Sequence, residues 1–356
     1  MVRLRNFKRF LDQSFVLTGL TVLTGLNSSG KSTLVQSLLL AHQAGLSPGD
    51  RVPLNAKPGL RLGQPVDLLA LDATTTTVEV EIDVDESTTA WAFETQFDGF
   101  EDASYVLCDD ARAPTFRPIY LGAERLGPRT SHGSAPAVSA TVGDIELGDD
   151  GRFVAHALAV HARRDVAPDL VHPNQPRVTT LASQTEAWMS ELVGAIQFEA
   201  RLVPRTDITT LHVRSSSLGD WLLPTNVGFG ISYALPVIVA GLTARPGDLL
   251  VIDSPEAHLH PAAQSAVARF LARVSSCGVQ VIVETHSDHV LNGIRRSVVS
   301  GEVASDTVTI HFLAGRAEPE RITIDQRGRP DHWPAGFFDQ MEVDLRSITR
   351  PRPTDR

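Results

Sequence analysis

The chain has 356 residues and a formal net charge of −10, and 42% of its residues are hydrophobic and 21% charged. These values indicate a globular protein of one large domain or two ordinary ones, and the acidic balance argues against a surface that is uniformly basic for nucleic acid. The absence of an apolar run near about 18 residues argues against a membrane span, and two cysteines are too few for a disulfide framework or a four-cysteine zinc site.

The first 44 residues predict two strands and a helix. Residues 2–10 alternate basic and apolar side chains, which is typical of a strand and not of a signal peptide. Residues 15–24 end in an apolar, β-branched run, and residues 33–44 carry leucines at helical spacing. With two unpaired cysteines and no signal peptide, we expect a cytoplasmic protein.

A complete phosphate-binding loop joins the second strand to the helix. Residues 25–32 read G-L-N-S-S-G-K-S and match the pattern G-x-x-x-x-G-K-[ST]. Glycines allow close approach of the backbone, so that successive N–H groups point at phosphate oxygens at a helix N-terminus. We expect Lys31 to reach the β- and γ-phosphates and the Ser32 hydroxyl to ligate magnesium. The predicted nucleotide contacts are Gly25, Asn27, Ser28, Ser29, Gly30, Lys31, Ser32 and Thr33.

The middle of the chain changes pattern. Apolar and acidic residues alternate over 77–84, and a similar alternation over 91–97 predicts a second antiparallel strand with one exposed face. The remaining segments predict, in order, a buried strand, a loop and three helices: 118–122, 128–139, 151–164, 184–196 and 231–242.

Two glycines open the last of these helices. The segment N-V-G-F-G-I-S contains Asn226, Gly228, Gly230 and Ser232, and glycines at a helix N-terminus form an anion site. Because one triphosphate does not need two such sites in one molecule, the second indicates that each protomer supplies half of a shared site. A tight turn before a buried helix explains the same pattern equally well.

Acidic side chains follow another apolar run. Residues 249–256 read L-L-V-I-D-S-P-E, which places Asp253 at the carboxyl edge of a buried strand, beside the phosphate loop. Asp253 is suited to hold magnesium through a water, and Glu256 to polarise an attacking water. His286 follows the next buried strand, residues 279–284, where it can sense the γ-phosphate.

His258 and His260 do not predict a zinc site. Their i, i+2 spacing separates them in an extended segment, and Pro261 fits the first turn of a helix over residues 261–274. Two closing strands are expected over 307–312 and 321–325, and residues 350–356 are expected to be disordered.

These motifs, in this order, resemble the ATP-binding-cassette (ABC) ATPase superfamily. The chain is similar to its soluble branch, which includes SMC proteins, RecF-type repair proteins and OLD (overcoming lysogenization defect) proteins. The matching segments are R-L-R-N-F-K-R-F, the phosphate loop, Y-L-G-A-E-R-L-G-P-R, N-V-G-F-G-I-S, I-D-S-P-E-A-H-L-H-P and E-T-H-S-D-H. Residues 324–339, which include W-P-A-G-F-F-D, are similar to the tail domain of one subgroup.

The resemblance implies an α/β P-loop NTPase of the ABC-ATPase head type with two lobes. One lobe combines a mixed sheet with an antiparallel β subdomain, and the other is a helical signature lobe. We expect the first part of the ATPase lobe over 1–124, the helical lobe over 125–243 and the second part of the ATPase lobe over 244–315. A tail domain is expected over 316–349 and a disordered end over 350–356.

The resemblance also assigns roles to residues. Gly228, Gly230 and Ser232 act as the signature sequence on ATP held by a partner protomer, Glu256 as catalytic base, and His286 as switch histidine, with Lys31 completing the catalytic set. A homodimer around two ATP–magnesium sites follows. The chain departs from the family pattern in its signature, which is not L-S-G-G-Q, and in lacking a Q-loop glutamine after residue 122, where Glu124 and Arg125 stand.

The implied activity is slow, switch-like ATP hydrolysis. The chain has neither an SMC-type coiled coil between its halves nor a Toprim-like region after residue 307. We therefore expect the ATPase sensor or regulatory subunit of a bacterial anti-phage defence or toxin system, with a nuclease or toxin as a separate effector. The alternative is a RecF- or SMC-like clamp that binds DNA through a local groove formed by Arg163, Arg164, Arg201, Arg205 and Arg214.

Overall fold

A computed structural model describes residues 1–349 except 58, 85–86, 98–103, 110–111, 113, 115, 137–143, 216–218 and 316–317. Residues 350–356, predicted to be disordered, and the end of the predicted loop over 128–139 lie outside the described residues.

The strands are β1 (Val2–Phe7), β2 (Phe10–Phe15), β3 (Leu20–Gly25), β4 (Arg51–Pro53), β5 (Asn55–Ala56), β6 (Leu60–Arg61), β7 (Thr77–Val84), β8 (Ser87–Glu94), β9 (Tyr105–Leu107), β10 (Pro118–Leu121), β11 (His132–Gly133), β12 (Ile196–Leu202), β13 (Ile208–Ser215), β14 (Leu249–Asp253), β15 (Gln280–Glu284), β16 (Val308–Leu313) and β17 (Glu320–Thr323). The α-helices are α1 (Lys31–Leu46), α2 (Val154–His161), α3 (Leu181–Val193), α4 (Phe229–Thr243), α5 (Pro261–Ser276), α6 (Asp288–Val299) and α7 (Gln340–Thr349). Short 3-10 turns span Pro65–Leu68, Pro168–Leu170, Pro224–Asn226 and Ser305–Thr307.

A six-stranded sheet of order β10-β14-β15-β3-β16-β17 forms the centre of the fold. Its first five strands are parallel, and β17 pairs with β16 in the antiparallel sense. Both faces of the sheet are covered, which explains why its strands read as continuous apolar runs. The carboxyl ends of β3, β14 and β15 meet at one edge, and this arrangement brings together the phosphate loop, Asp253 and Glu284.

A second six-stranded sheet, of order β2-β1-β7-β8-β9-β4, is antiparallel throughout. The alternation predicted over 77–84 is seen in the register that pairs Val80 with Trp91 on the buried face. The prediction of one strand over residues 2–10 is wrong, because the chain turns at Lys8, whose φ is 51°, and forms the β1–β2 hairpin.

The segment between β10 and β14 is not purely helical. It contains α2, α3 and α4 together with a three-stranded sheet of order β11-β13-β12. The helix predicted over 184–196 ends earlier, since Gly194 follows α3 with a φ of 81° and Ile196 begins β12. The β12–β13 hairpin therefore replaces the end of the predicted helix, whereas α3 itself begins three residues before the expected start.

Two apolar clusters form the core, one on each face of the central sheet. Leu250 and Ile252 of β14 join the cluster with α2 to α6, whereas Leu249 and Val251 join the cluster with α1 and the antiparallel sheet. This period-two division is what a strand covered on both faces requires. The central sheet therefore lies between helices α2 to α6 on one side and α1 with the second sheet on the other.

The C-terminal segment is anchored by aromatic packing. Phe337 is fully buried, and its ring lies 5.5 Å from that of Phe312 and 4.8 Å from that of Trp333. Helix α7 follows, and all ten of its residues are exposed. Within the described part of the chain, every helix is too short or too polar to cross a bilayer.

Candidate active site

The phosphate loop lies between β3 and α1 in the strand–loop–helix arrangement that its motif requires. Gly25 and Gly30 have φ values of 130° and 100°, and a Cβ atom at Gly25 would lie 2.2 Å from the carbonyl oxygen of Leu313. Leu26 N–H donates to that same carbonyl oxygen, so β16 supports the loop. Because α1 begins at Lys31, the first N–H groups of the helix point into the loop.

The ammonium group of Lys31 lies at the centre of this loop. Its Nζ donates to the carbonyl oxygens of Gly25 at 3.2 Å and Leu26 at 2.8 Å. Burial lowers the pKa of Lys31, and the nearby carboxylates of Glu284 and Asp253 oppose that shift. The cation is thus held on the side of the loop that faces the acidic residues.

Glu284 contacts both functional side chains at the start of α1. Ser32 Oγ lies 3.3 Å from Oε1 and 3.1 Å from Oε2 of Glu284, and Lys31 Nζ lies 3.9 Å from Oε1. Sequence reasoning did not single out this glutamate. Its signal was its position as the last residue of a buried strand, in E-T-H-S, but the contact with Ser32 needed the order of the strands.

Asp253 and Glu284 are direct register partners at the ends of β14 and β15. Burial, reinforced by the charge of Asp253, raises the pKa of Glu284 to about 7, while Lys31 and the hydroxyl of Ser32 act in the opposite direction. Ser254, the residue after Asp253, adopts a left-handed φ of 51° and donates its hydroxyl to Asp253 Oδ1 at 2.8 Å. The carboxyl edge of the sheet is therefore strongly acidic opposite the lysine.

Glu256 is tied to the segment that carries His286. Its two carboxylate oxygens accept hydrogen bonds from Thr285 Oγ1 at 2.8 Å and from the backbone N–H of His286 at 2.9 Å. The side chain of His286 is exposed, and partial desolvation together with the charge of Lys31 lowers its pKa. The structure thus brings Glu256 and His286, predicted from separate motifs, into one hydrogen-bonded unit.

A cavity of about 440 Å³ opens above the phosphate loop. Among the described residues, it is lined by the loop and the start of α1, by Gln36, Glu284 and His286, and by Lys8 and Arg9 from the turn of the β1–β2 hairpin. Sequence reasoning did not assign Lys8 or Arg9 to the site. Lys8 Nζ donates to Gln36 Oε1 at 2.8 Å, which ties the hairpin turn to α1 beside the loop.

The donor set fits a magnesium-bound triphosphate. Ser29, 1% exposed, has a hydroxyl that finds no partner among the described residues, as expected for a loop built to contact phosphate. Magnesium in such sites takes one or two carboxylates, a hydroxyl and substrate phosphates, which matches Ser32 with Asp253 and Glu284. Among the described residues, no group of three or more His, Cys, Asp and Glu side chains is arranged to hold a metal ion.

The predicted signature segment lies at the start of α4. Gly228 is the N-cap residue of this helix, and Asn226, Gly228 and Phe229 are exposed. A Cβ atom at Gly230 would lie 2.8 Å from the carbonyl oxygen of His258, so this glycine permits a close approach to the segment after β14. Ser232 lies in the first turn of α4 and is half-buried. The residues that line the phosphate-loop cavity come from other parts of the chain.

Arg125, which stands where a Q-loop glutamine was expected, is buried between β14 and α4. It donates to backbone carbonyl oxygens that include those of Asp253 and Tyr233. Glu124, the neighbouring candidate, is exposed. Of the two residues, the structure places Arg125 in contact with the site.

His258 and His260 have separate structural positions. The ring of His258 packs 4.4 Å from that of Tyr233 and 5.6 Å from that of Phe229, at the start of α4. His260 is the N-cap of α5, with Nδ1 accepting from Ala262 N–H, and Pro261 is the first helical residue as predicted.

Two of the arginines considered for a DNA groove, Arg201 and Arg214, have local partners on the β12–β13 hairpin. Arg214 donates to Gln197 Oε1 at 2.9 and 2.6 Å, and the exposed Arg201 pairs with Glu199. Arg205 lies in the turn of the same hairpin, and Arg163 and Arg164 follow α2. The geometry adds no support for a DNA groove.

Two family models match the chain. Residues 20–292 match the family described as an AAA domain, putative AbiEii toxin, type IV toxin–antitoxin system. Residues 303–348 match a family described as a protein of unknown function, DUF3696. No curated protein matches the chain.

Solved structures of SMC heads share this fold. One, a crystal structure of an SMC head bound to the C-winged helix domain of ScpA, has 14% identity and a TM-score of 0.53, with 90% of this chain and 97% of that chain covered. Another, from Pyrococcus furiosus, is an SMC head with an extended coiled coil bound to the C-terminal domain of ScpA. It has 11% identity and a TM-score of 0.52, with 98% of each chain covered. The predicted fold class, an α/β P-loop head of the ABC-ATPase type, is confirmed.

Proposed function

The chain belongs to the family described as AAA domains, putative AbiEii toxins of type IV toxin–antitoxin systems, and on this premise we propose that it is an ATP-hydrolysing switch protein. One observation carries the proposal: the phosphate loop, Lys31 and Ser32 face the carboxylates of Asp253 and Glu284 across a single sheet edge. That arrangement supplies a cation and N–H groups for a triphosphate, and oxygen ligands for a divalent metal.

The geometry of the loop supports the proposed binding roles. The N–H groups of residues 27–33 and the ammonium of Lys31 bind the β- and γ-phosphates, because they surround the cavity at the start of α1. Ser32 and Asp253 would hold magnesium, with Glu284 next to Ser32. The metal would supply positive charge that offsets the charge of the phosphate oxygens.

Glu256 and His286 act on the γ-phosphate side. Glu256 polarises the attacking water and accepts its proton, while the water oxygen forms a bond to the γ-phosphorus and the bond to the β-phosphate oxygen breaks. Because the backbone of His286 is hydrogen-bonded to Glu256, a histidine contact with the γ-phosphate and the position of the base are linked. Loss of the γ-phosphate therefore changes both the histidine contact and the position of Glu256.

The site is completed by a second copy. The N-terminus of α4, with Asn226, Gly228, Gly230 and Ser232, is directed at the γ-phosphate held by the partner protomer. The exposed side chain of Phe229 supports this contact between protomers, because a large apolar side chain that is 56% exposed at the start of α4 is available to a partner surface. Hydrolysis removes the charge that the two protomers share, so the dimer forms with ATP and separates afterwards.

The switch controls a separate effector, a nuclease or a toxin, in an anti-phage defence or toxin system. The family description, which names a putative toxin of a type IV toxin–antitoxin system, supports a role in a system of that kind. A DNA clamp in repair or recombination is the competing outcome. It requires ATP hydrolysis that DNA stimulates and DNA binding that weakens steeply with salt.

The test compares the wild-type chain with Lys31→Ala and Glu256→Gln. We expect hydrolysis by the wild type alone, and ATP-dependent dimers that accumulate with Glu256→Gln in light scattering. Mass spectrometry of proteins captured by Glu256→Gln, compared with Lys31→Ala, is expected to identify an effector. Equal ATP binding by the wild type and Lys31→Ala would refute the ATPase assignment, and stimulation by DNA without an effector would favour the clamp.

A further inference from the structure

Arg125 binds four backbone carbonyl groups between the end of β14 and the first turns of α4. Nε donates to the carbonyl oxygen of Tyr233 at 3.2 Å, and Nη1 to those of Gly122 at 2.9 Å and Asp253 at 2.6 Å. Nη2 donates to the carbonyl oxygen of Ser254 at 2.6 Å. The residue is only 3% exposed, so these are interior hydrogen bonds.

A guanidinium is the group that this position needs. Burial lowers the pKa of Arg125, and the charges of Asp253 and Glu256 act in the opposite direction, so the side chain stays a cation. Its planar fork satisfies carbonyl groups that point at one another from three different segments. A lysine has a single nitrogen with three donors and cannot span the same set of acceptors.

The hydrogen bonds of Arg125 connect the proposed magnesium site with the signature helix. Asp253, the proposed magnesium ligand, ends β14 and Ser254 follows it, and Tyr233 follows Ser232 in the signature helix. The ring of Tyr233 also lies 5.6 Å from the guanidinium carbon. Gly127, two residues after Arg125, allows the ring of Phe229 to approach, since a Cβ there would lie 3.2 Å from it.

We propose that Arg125 is a positioning residue that joins the end of β14 to the signature helix, so that nucleotide binding at one is transmitted to the other. The inference rests on the proposed function and extends it, since it names the residue that couples the two elements. Arg125 donates its hydrogen bonds to backbone carbonyl groups and packs against the ring of Tyr233, so its proposed role is positioning and not catalysis.

The test is the conservative variant Arg125→Lys, with Arg125→Gln as a second variant. We expect ATP affinity, measured with a fluorescent ATP analogue, to stay within about threefold of wild type, while kcat falls at least about tenfold. The second readout is hydrogen exchange of residues 226–235 with and without ATP, at protein concentrations where sedimentation shows a monomer. The ATP-induced change there is expected in the wild type and lost in both variants.

Arg117→Lys is the matched control. Arg117 binds the carboxylate of Asp248, and its Nε donates to Oδ1 at 3.0 Å. This pair lies at the N-terminal ends of the neighbouring strands β10 and β14, whereas Arg125 lies at their carboxyl ends. This variant is expected to unfold at a lower temperature but to keep kcat and the exchange response.

The outcomes separate the coupling role of Arg125 from the proposed function. If Arg125→Lys keeps the kcat and the exchange response of the wild type, the coupling role alone is overturned. The coupling role is also overturned if the wild-type chain binds ATP with no change of exchange over 226–235, a result that does not depend on whether the variants fold. Equal behaviour of wild type and Lys31→Ala towards ATP would instead overturn the proposed function.

Discussion

Ser32 Oγ lies 3.1 Å from Oε2 of Glu284, a carboxylate that ends the strand between the phosphate-loop strand and the strand of Asp253. The proposed magnesium-binding hydroxyl therefore already has an acidic partner within the chain. Substitution of Glu284 is therefore expected to change the magnesium requirement of ATP binding and the pH dependence of stability. Substitution of Glu256 is expected to change the rate of ATP hydrolysis instead.

Glu284→Gln is expected to change the magnesium requirement. The amide keeps the shape of the side chain and can still bond to Ser32, but it removes a negative charge beside the proposed metal site. We expect ATP affinity in magnesium to fall about tenfold, whereas affinity in EDTA is unchanged or rises. Titration of a fluorescent ATP analogue under both conditions measures this, and an equal loss in both conditions would contradict the role.

The same variant is expected to alter the pH dependence of stability. The pKa of Glu284 is raised to about 7 in the folded chain, so the folded state retains a proton that the unfolded state releases above its ordinary value of 4.5. Stability contributed by this proton is complete below pH 4.5 and lost as pH rises to about 7.

Glu284→Gln lacks this loss, and its advantage over wild type is expected to grow from near zero at low pH to about 3 kcal/mol at pH 8. Urea unfolding of the nucleotide-free protein in EDTA at pH 5 and pH 8 measures the difference. A constant difference between the two proteins would argue against a protonated Glu284 in the fold.

Lys31→Ala is expected to weaken ATP binding at least about 100-fold, because the ammonium is the main cation facing the phosphates. Calorimetric titration with ATP checks this. Lys57→Ala is a suitable control, since Lys57 is exposed and does not line the cavity. Comparable losses in both variants would indicate a general effect of charge and not a specific site.

Glu256→Gln is expected to bind ATP with near wild-type affinity and to lower kcat at least about 100-fold. The amide oxygen still accepts one of the two hydrogen bonds, from Thr285 or His286, so the segment keeps its fold. Phosphate release measures kcat, and light scattering measures the ATP-dependent dimer. A variant that remains monomeric with ATP would exclude a site shared between two copies.

Gly230→Ala is expected to disturb the signature helix. The added Cβ would lie 2.8 Å from the carbonyl oxygen of His258, so α4 and the segment after β14 must separate. We expect a loss of about 1–3 kcal/mol of stability and a weaker ATP-dependent dimer. Gly49→Ala, where a Cβ meets open space among the described atoms, is the control for an unstrained exchange. Equal thermal unfolding of the two variants would contradict the close approach.

Several features were predictable because they depend on local chain geometry. The phosphate loop was identified from its glycines, lysine and serine between an apolar strand and a helix, and the structure has β3 and α1 on either side. The apolar runs of β14 and β15 indicated buried strands, and the two core clusters show that both faces of their sheet are covered. The roles of Lys31, Asp253, Glu256, His286 and the signature residues stay predictions.

Other expectations were wrong where a single residue changed the chain direction. Gly194 ends α3 before residue 196, and the apolar residues expected on a longer helix belong partly to the β12–β13 hairpin. Lys8 turns the first segment into a hairpin, although the alternation of side chains continues through the turn. Periodicity alone does not mark such points, because helix and strand patterns overlap over short runs.

The amino-acid order was sufficient for the phosphate loop, the apolar strands and the general class of the fold, since each depends on neighbouring residues and their backbone preferences. It was not sufficient for the contact between Ser32 and Glu284 or for the four carbonyl groups around Arg125. Those contacts join residues up to 252 positions apart. The first requires β15 to lie beside β3, and the second requires β10 to lie beside β14. Strand order and register, which arise from packing of the whole core, decided them.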